Sequence, residues 1–266
     1  MGHLRQTAIQ VLRNAGILSF ADGIRCALLS RKNRRNRARF LSKHPTVKLP
    51  PDEMIFETFG KLDYQSYYHE SREAARELID LMGKHHALDN ARICEWGCGP
   101  ARLLRHMTDL LIEQDVDLTG TDYNVPMIDW AATNIPGVTF LPNRLSPPLP
   151  VRDQAFDIVY SISVMTHLSE PLQREWLKEC LRVLAPGGIF LFTVIGDSYL
   201  GNLLPGEQRE YRERGILVRG RVGEGRKNFG AYNSPDYVRN VLLKGMDIAE
   251  HIVREGQQDI WMVRKG

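Results

Sequence analysis

Residues 91–106, Ala-Arg-Ile-Cys-Glu-Trp-Gly-Cys-Gly-Pro-Ala-Arg-Leu-Leu-Arg-His, constrain the chain more than any other stretch. Ile93 and Trp96 favour a buried strand. Gly97 and Gly99 stand where a chain must reverse sharply and let a ligand approach its backbone. Leu103, Leu104 and Met107 then recur at helical spacing. A strand, a tight turn and a helix start are therefore expected, with free backbone N–H groups at the turn facing whatever lies over the strand ends.

The interval to the next acid supports that reading. Val116–Tyr123 reads as a second strand, and its terminal Asp122 follows Gly97 by 25 residues. In a strand–helix–strand unit this puts Asp122 at the edge of the neighbouring strand. A carboxylate there can accept hydrogen bonds from both hydroxyls of a ribose. The competing reading is that Asp122 caps a helix starting near Pro126.

Beyond this unit, strands are expected at 138–141, 156–163 and 189–194, with a helix from about Glu170 and a tight turn at Leu184–Gly188. Pro142–Pro150 is an extended, proline-held loop. Residues 196–233 are glycine-rich and long for a connection, which suits a binding loop or lid. Ser234-Pro235 starts a further helix, and 246–253 and 258–263 alternate as a closing hairpin. Upstream, Ser71 is a candidate cap for a helix to about His85. His85-His86 suit that helix end and are read as structural.

The formal charge of +3 hides an asymmetry: residues 1–50 hold 11 Lys/Arg against Asp22 alone, so the remainder carries −7. Residues 4–18 and 20–42 look helical, and Lys48–Pro51 reads as a linker. The expected organisation is a basic helical extension at 1–50 and one α/β domain at 51–266. A peripheral contact of the basic segment with an anionic surface is one reading; solubility alone is the other. No apolar run reaches the roughly 18 residues of a membrane helix. The four scattered cysteines and an N-terminus without an apolar block suggest a cytoplasmic setting. No metal-ligand spacing is present.

The set Glu95-Trp96-Gly97-Cys98-Gly99, Asp122, Phe156-Asp157, Ser163–Leu168 and Leu184–Gly188 resembles class I S-adenosylmethionine-dependent methyltransferases, in particular the methyltransferase-11/25-like small-molecule group. The resemblance spans roughly residues 68–195. It implies a three-layer Rossmann-like α/β fold with a seven-stranded, mostly parallel sheet of order 3-2-1-4-5-7-6 and an antiparallel last strand.

The resemblance also implies roles for individual residues. Gly97, Cys98 and Gly99 would carry the methionine part of S-adenosyl-L-methionine, with Glu95 meeting its amino end. Tyr68 and Arg72 would cover its carboxylate. Asp122 would bind the ribose, Tyr123 would pack on the adenine, and Asn143 or Arg144 would meet the adenine amino group. Ser161, Ile162 and Ser163 would pass beneath the reactive methyl. His167 is the candidate base for an oxygen or nitrogen nucleophile, with a positional role as its alternative. Tyr64, Tyr67 and Tyr68 suit core and substrate wall equally.

Three other functions compete with methyl transfer to a small-molecule or glycan-like acceptor at oxygen. A nicotinamide-dependent oxidoreductase needs a third glycine where Arg102 stands, and Glu95 would repel a pyrophosphate. A nucleic-acid methyltransferase would use the basic segment on phosphates, yet the Asn/Asp-Pro-Pro-aromatic motif of base amino-methylating enzymes is absent after the fourth strand. A non-enzymatic module would keep the fold and bind cofactor or a partner.

Overall fold

The computed structural model describes residues 18–220 and 223–266. The expected helix at 4–18 therefore lies outside the described residues, except for Leu18. Contacts divide the described chain into two units, Ser19–Asn143 and Arg144–Gly266.

In the first unit, α1 (Leu18–Lys43), α2 (Asp52–Phe59) and α3 (Tyr64–Gly83) precede β1 (Arg92–Trp96), α4 (Leu104–Leu110), β2 (Asp117–Asp122), α5 (Val125–Asn134) and β3 (Thr139–Pro142). β1, β2 and β3 pair in parallel, with Glu95 opposite Gly120 and Asp122 opposite Pro142. Cys26 and Phe40 of α1 share one apolar cluster with Leu49, Ile55, Phe56, Leu62, Tyr64 and Tyr67. The Lys48–Pro51 stretch is held in place, because Arg37 donates to the carbonyls of Leu49 and Pro50 and pairs with Asp52 at 2.6 Å.

α3 begins earlier than Ser71. Its cap is Asp63, whose carboxylate accepts the Ser66 N–H at 3.1 Å. Ser71 instead lies inside the helix, where its hydroxyl bonds back to the Tyr67 carbonyl one turn earlier.

Gly120 explains how Arg102 can stand where a dinucleotide fold has its third glycine. A Cβ on Gly120 would lie 2.8 Å from Leu104 Cδ1 and 2.9 Å from both Cys98 Sγ and Phe140 Cε1. Close helix–strand approach is thus supplied by a glycine on β2, opposite the turn.

In the second unit, β4 (Phe156–Ser161), α6 (Glu170–Val183) and β5 (Leu184–Val194) are followed by α7 (Pro205–Arg214), the antiparallel pair β6 (Ile216–Arg219) and β7 (Gly230–Asn233), α8 (Pro235–Tyr237), β8 (Asp247–Ile252) and β9 (Asp259–Arg264). The expected turn at Leu184–Gly188 is a bulge within β5. Phe156 faces Leu184, the register shifts, and Ile158 faces Ile189. A Cβ on Gly188 would stand 2.7 Å from the Asp157 carbonyl, so only glycine fits that crowded position. β9 runs antiparallel to β5 and to β8.

The full sheet has seven strands in the order β3-β2-β1-β4-β5-β9-β8. With β6 and β7 set apart as their own pair, this is the order expected from the resemblance. Residues 196–233 are more ordered than a glycine-rich loop implies. Leu203, Tyr211 and Leu217 form a buried cluster of their own, and Arg219 pairs with Glu207 at 2.5 Å. Among the described residues no helix is long and apolar enough to cross a membrane.

Candidate cofactor turn and acid–base site

The turn after β1 is fixed by its backbone. Gly97 (φ 80°), Gly99 (φ 52°) and Ala101 (φ 56°) all take left-handed conformations. The expected free N–H groups are not there. The N–H groups of Gly97 and Cys98 both donate to the Thr121 carbonyl, at 2.7 and 3.0 Å. That of Gly99 donates to Asp122 Oδ2 at 2.8 Å. The helix itself starts only at Leu104. The turn therefore offers a ligand an absence of side chain rather than a set of unsatisfied donors. A Cβ on Gly99 would stand 3.1 Å from Thr58 Cγ2, tighter than packing allows without movement.

Asp122 joins the ends of β1 and β2. One carboxylate oxygen holds Gly99, and the other accepts the Asn124 N–H at 2.8 Å, which sets the entry to α5. Both sequence readings of Asp122 thus meet in one residue. Burial raises its pKa above the usual carboxylate range, and the backbone N–H bonds from Asn124 and Gly99 oppose that rise. The Tyr123 N–H also reaches the carboxylate, which leaves it one lone pair for a hydroxyl. Glu95 is buried on β1, and Tyr123 is 37% exposed beyond Asp122. The Asn143 N–H donates to the Asp122 carbonyl at 3.0 Å, and Arg144 is exposed. Cys98 is buried, and burial pushes its thiol well above the usual range, so it is no nucleophile.

Tyr68 and Arg72 have other partners. The Tyr68 ring packs edge-on against His106 at 4.7 Å and tilts against Phe40 at 5.8 Å. Arg72 pairs with Asp109 at 3.5 Å. It is Tyr67 that sequence reasoning left undecided. Its hydroxyl is buried beside the Arg105 guanidinium, and burial pushes its pKa up to about 12 against the opposing pull of Arg105 and Arg102. Arg102 donates to Ser71 Oγ at 3.1 Å. The signal was present in the spacing, since Tyr67 and Ser71 are one helical turn apart on the buried side of α3.

In the second unit, β4 ends at Ser161, whose hydroxyl is buried without a hydrogen-bond partner. Ile162 is half-buried, and Ser163 takes φ 63°, a costly conformation for a serine. Two side chains hold it there: its N–H donates to Thr193 Oγ1 at 2.8 Å, and its carbonyl accepts from Thr166 Oγ1 at 2.8 Å. Thr193 in turn donates to Gln258 Oε1 at 2.6 Å.

His167 follows in a short 3₁₀ turn. Its Nδ1 lies 2.9 Å from the Phe229 carbonyl. A carbonyl only accepts, so Nδ1 carries the proton and Nε2 keeps its lone pair. Burial lowers the pKa of this histidine below its ordinary value, and the Phe229 hydrogen bond opposes the shift. The Gly225 N–H donates to the His167 carbonyl at 2.9 Å, and Glu224 accepts from the Ser169 N–H at 3.1 Å. Residues 224–229 are thus fastened to the turn that carries His167. Gln173 and Asn233 reinforce this, exchanging side-chain hydrogen bonds while Gln173 also donates to the Met165 and Leu168 carbonyls.

The sheet order and the glycine turn are those of a class I S-adenosylmethionine-dependent methyltransferase domain. Residues 93–188 match one family model in particular, Methyltransf_25, described as a methyltransferase domain. Over 103 residues the chain is 34% identical to the probable tRNA methyltransferase 9B of Bos taurus, covering 38% of this chain and 21% of the bovine protein. Over 150 residues it is 25% identical to a ubiquinone biosynthesis O-methyltransferase of Coxiella burnetii, covering 51% of this chain and 58% of that protein. The chain therefore spans only about a fifth to three fifths of the length of these relatives. A solved S-adenosylmethionine dependent methyltransferase from Mesorhizobium loti aligns with a TM-score of 0.54 at 18% identity, over 73% of this chain and all 100% of that one, which is a likeness of fold.

Proposed function

We propose that the chain transfers the methyl group of S-adenosylmethionine to an oxygen of a small-molecule or sugar-like acceptor. The observation that carries the cofactor part is the Asp122 clamp on Gly99. It closes the turn into a cradle that a Cβ would fill, and it leaves the carboxylate one lone pair for a ribose hydroxyl.

Bound S-adenosylmethionine supplies an electrophilic methyl carbon on a positive sulfur, so the protein's work is alignment and proton removal. Gly97 and Gly99 make room for the methionine part, and the Glu95 carboxylate suits its ammonium group. Asp122 would take a ribose hydroxyl, Tyr123 would offer a face to the adenine, and Asn143 or Arg144 would meet the adenine edge. By the resemblance, Ser161–Ser163 would lie on the methyl side of the cofactor. His167 is neutral at pH 7, and its Nε2 takes the proton of an acceptor hydroxyl.

Parallel calorimetric titration with S-adenosylmethionine, S-adenosylhomocysteine and NAD tests the cofactor. Micromolar binding of the two adenosyl ligands and none of NAD is expected. Binding of NAD alone overturns the reading. The second reading is methylation of tRNA. The resemblance over 103 residues to a probable tRNA methyltransferase favours it, as does the basic first segment. Methyl incorporation into unmodified tRNA, and none into phenolic or glycan acceptors, would establish it. Tight adenosyl binding with no product on any acceptor class would point to a non-enzymatic module.

A further inference from the structure

Helix α1 has two faces with opposite tasks. On one, Cys26 and Phe40 are buried in the apolar cluster of the first unit. Arg37 lies on the same face, tied to Asp52 and to the Leu49 and Pro50 carbonyls. At about 100° per residue, Phe20, Ile24, Leu28, Arg31, Arg35 and Arg39 fall on the side opposite to these. Phe20, Ile24 and Leu28 are 72%, 48% and 64% exposed, and Arg31, Arg35 and Arg39 are exposed as well, as are the flanking Lys32 and Arg34. One continuous outward stripe thus reads large apolar, then basic.

We propose that this stripe docks the protein on the surface of an anionic lipid bilayer. The helix lies along the interface, with Phe20, Ile24 and Leu28 entering the acyl boundary and Arg31, Arg35 and Arg39 meeting the headgroup phosphates. The occupant follows from the order of the side chains. Arginines along a helix suit any polyanion, but a nucleic acid leaves three adjacent large apolar side chains in water. A bilayer with negative headgroups satisfies both halves at once, by burial of apolar area and by charge. The two halves are each about 12 Å long, at 1.5 Å per residue, so a single helix presents both to a flat surface. No residue of this stripe has a role in the proposed reaction, so the proposal does not depend on that reading.

The test is co-sedimentation of the full chain with vesicles of pure phosphatidylcholine and with vesicles in which about a third of the lipid is phosphatidylglycerol. The expected result is binding to the anionic vesicles only. A triple Phe20→Ser, Ile24→Ser, Leu28→Ser variant, and separately Arg31→Gln with Arg35→Gln, should each weaken it by roughly tenfold or more. Both variants change exposed positions, and an unchanged thermal melt shows that they remain folded. Raised salt should weaken the binding that remains in the triple variant more than that of the wild type. Absence of binding to anionic vesicles overturns the proposal. So does binding that the triple serine variant retains in full while tRNA competes it away, which would make the stripe a polyanion contact. A concentration-dependent dimer abolished by the triple variant, without vesicle binding, would make it a self-contact.

Discussion

The two units are fixed by different kinds of bond. In residues 19–143 the turn after β1 is held through its own backbone N–H groups, by one main-chain carbonyl and one neighbouring carboxylate. Gly97, Cys98 and Gly99 donate their N–H groups to the Thr121 carbonyl and to Asp122, and glycine at 99 and 120 keeps crowded space open. In residues 144–266 the functional turn is held by side chains reaching across long sequence distances. His167 meets Phe229, Gln173 meets Asn233, and Ser163 is pinned by Thr193. A backbone-fixed turn tolerates almost no change of residue and gives one geometry, which suits a constant ligand. A side-chain-fixed turn can be re-cut by substitution in the segment packed on it, which suits a variable acceptor. On the proposed reading, the first unit would hold the cofactor and the second the acceptor.

The strongest way to break this comparison is Gly99→Val. A β-branched residue at φ 52° is strained, and its Cβ alone would press on Thr58. Loss of S-adenosylmethionine affinity by more than about 100-fold is expected by calorimetry, from closure of the cradle. Retained affinity would mean that the turn is not the cofactor's seat.

His167→Ala tests the second unit. With an acceptor in hand, kcat should fall about 100-fold or more, the ordinary worth of a general base, while cofactor affinity stays within a few-fold. The pH profile carries the sign. Because the histidine's pKa is lowered, its basic form predominates through neutrality. The wild-type rate should therefore fall only on the acid side, with a midpoint below the ordinary histidine value of about 6.5. The same depression means that unfolding takes up a proton at this group. Its contribution to stability is complete above pH ~6.5 and is lost as pH falls through the folded-state pKa. A variant with full turnover would leave His167 only its hold on residues 224–229.

Asp122→Ala should weaken cofactor binding by about tenfold or more. It also leaves the Gly99 N–H buried without its partner, at a cost of about 1–3 kcal/mol in stability. Asp122→Asn keeps one accepting oxygen, so it should retain more of the fold than of the affinity. Affinity unchanged in a folded Asp122→Ala variant would confine Asp122 to its structural clamp.

What was legible in the sequence follows the same division. The strand–turn–strand frame showed through because its determinants are local. Strand-forming apolar residues mark β1 and β4, glycines mark the reversal, and an acid follows at the interval of a strand–helix–strand unit. The donor state of the turn did not show, since nothing in Gly-Cys-Gly says that Thr121 will already take two of its N–H groups. The start of α3 was misplaced because Ser71 resembles a cap, whereas Asp63 performs that role and leaves Ser71 to bond backwards within the helix. The bulge at Gly187-Gly188 looks like a turn, because both need glycine. Least legible was the setting of His167. Its partner is a main-chain carbonyl 62 residues away, and a carbonyl is present at every position of a sequence.

The smallest effect sharpens the comparison inside the first unit, between two adjacent tyrosines. Tyr67→Phe removes a buried hydroxyl that lies beside Arg105, so the fold should lose no more than about 1–2 kcal/mol. If that hydroxyl serves the cofactor, affinity for S-adenosylmethionine drops by about 5- to 10-fold, one hydrogen bond's worth. Tyr68→Phe keeps the ring that packs on His106 and Phe40, and affinity should stay within about twofold. The reverse ranking would return the methionine carboxylate to Tyr68. It would also mean that α3 turns its half-buried side to the cofactor, which its buried Tyr67, Ser71 and Ala75 argue against.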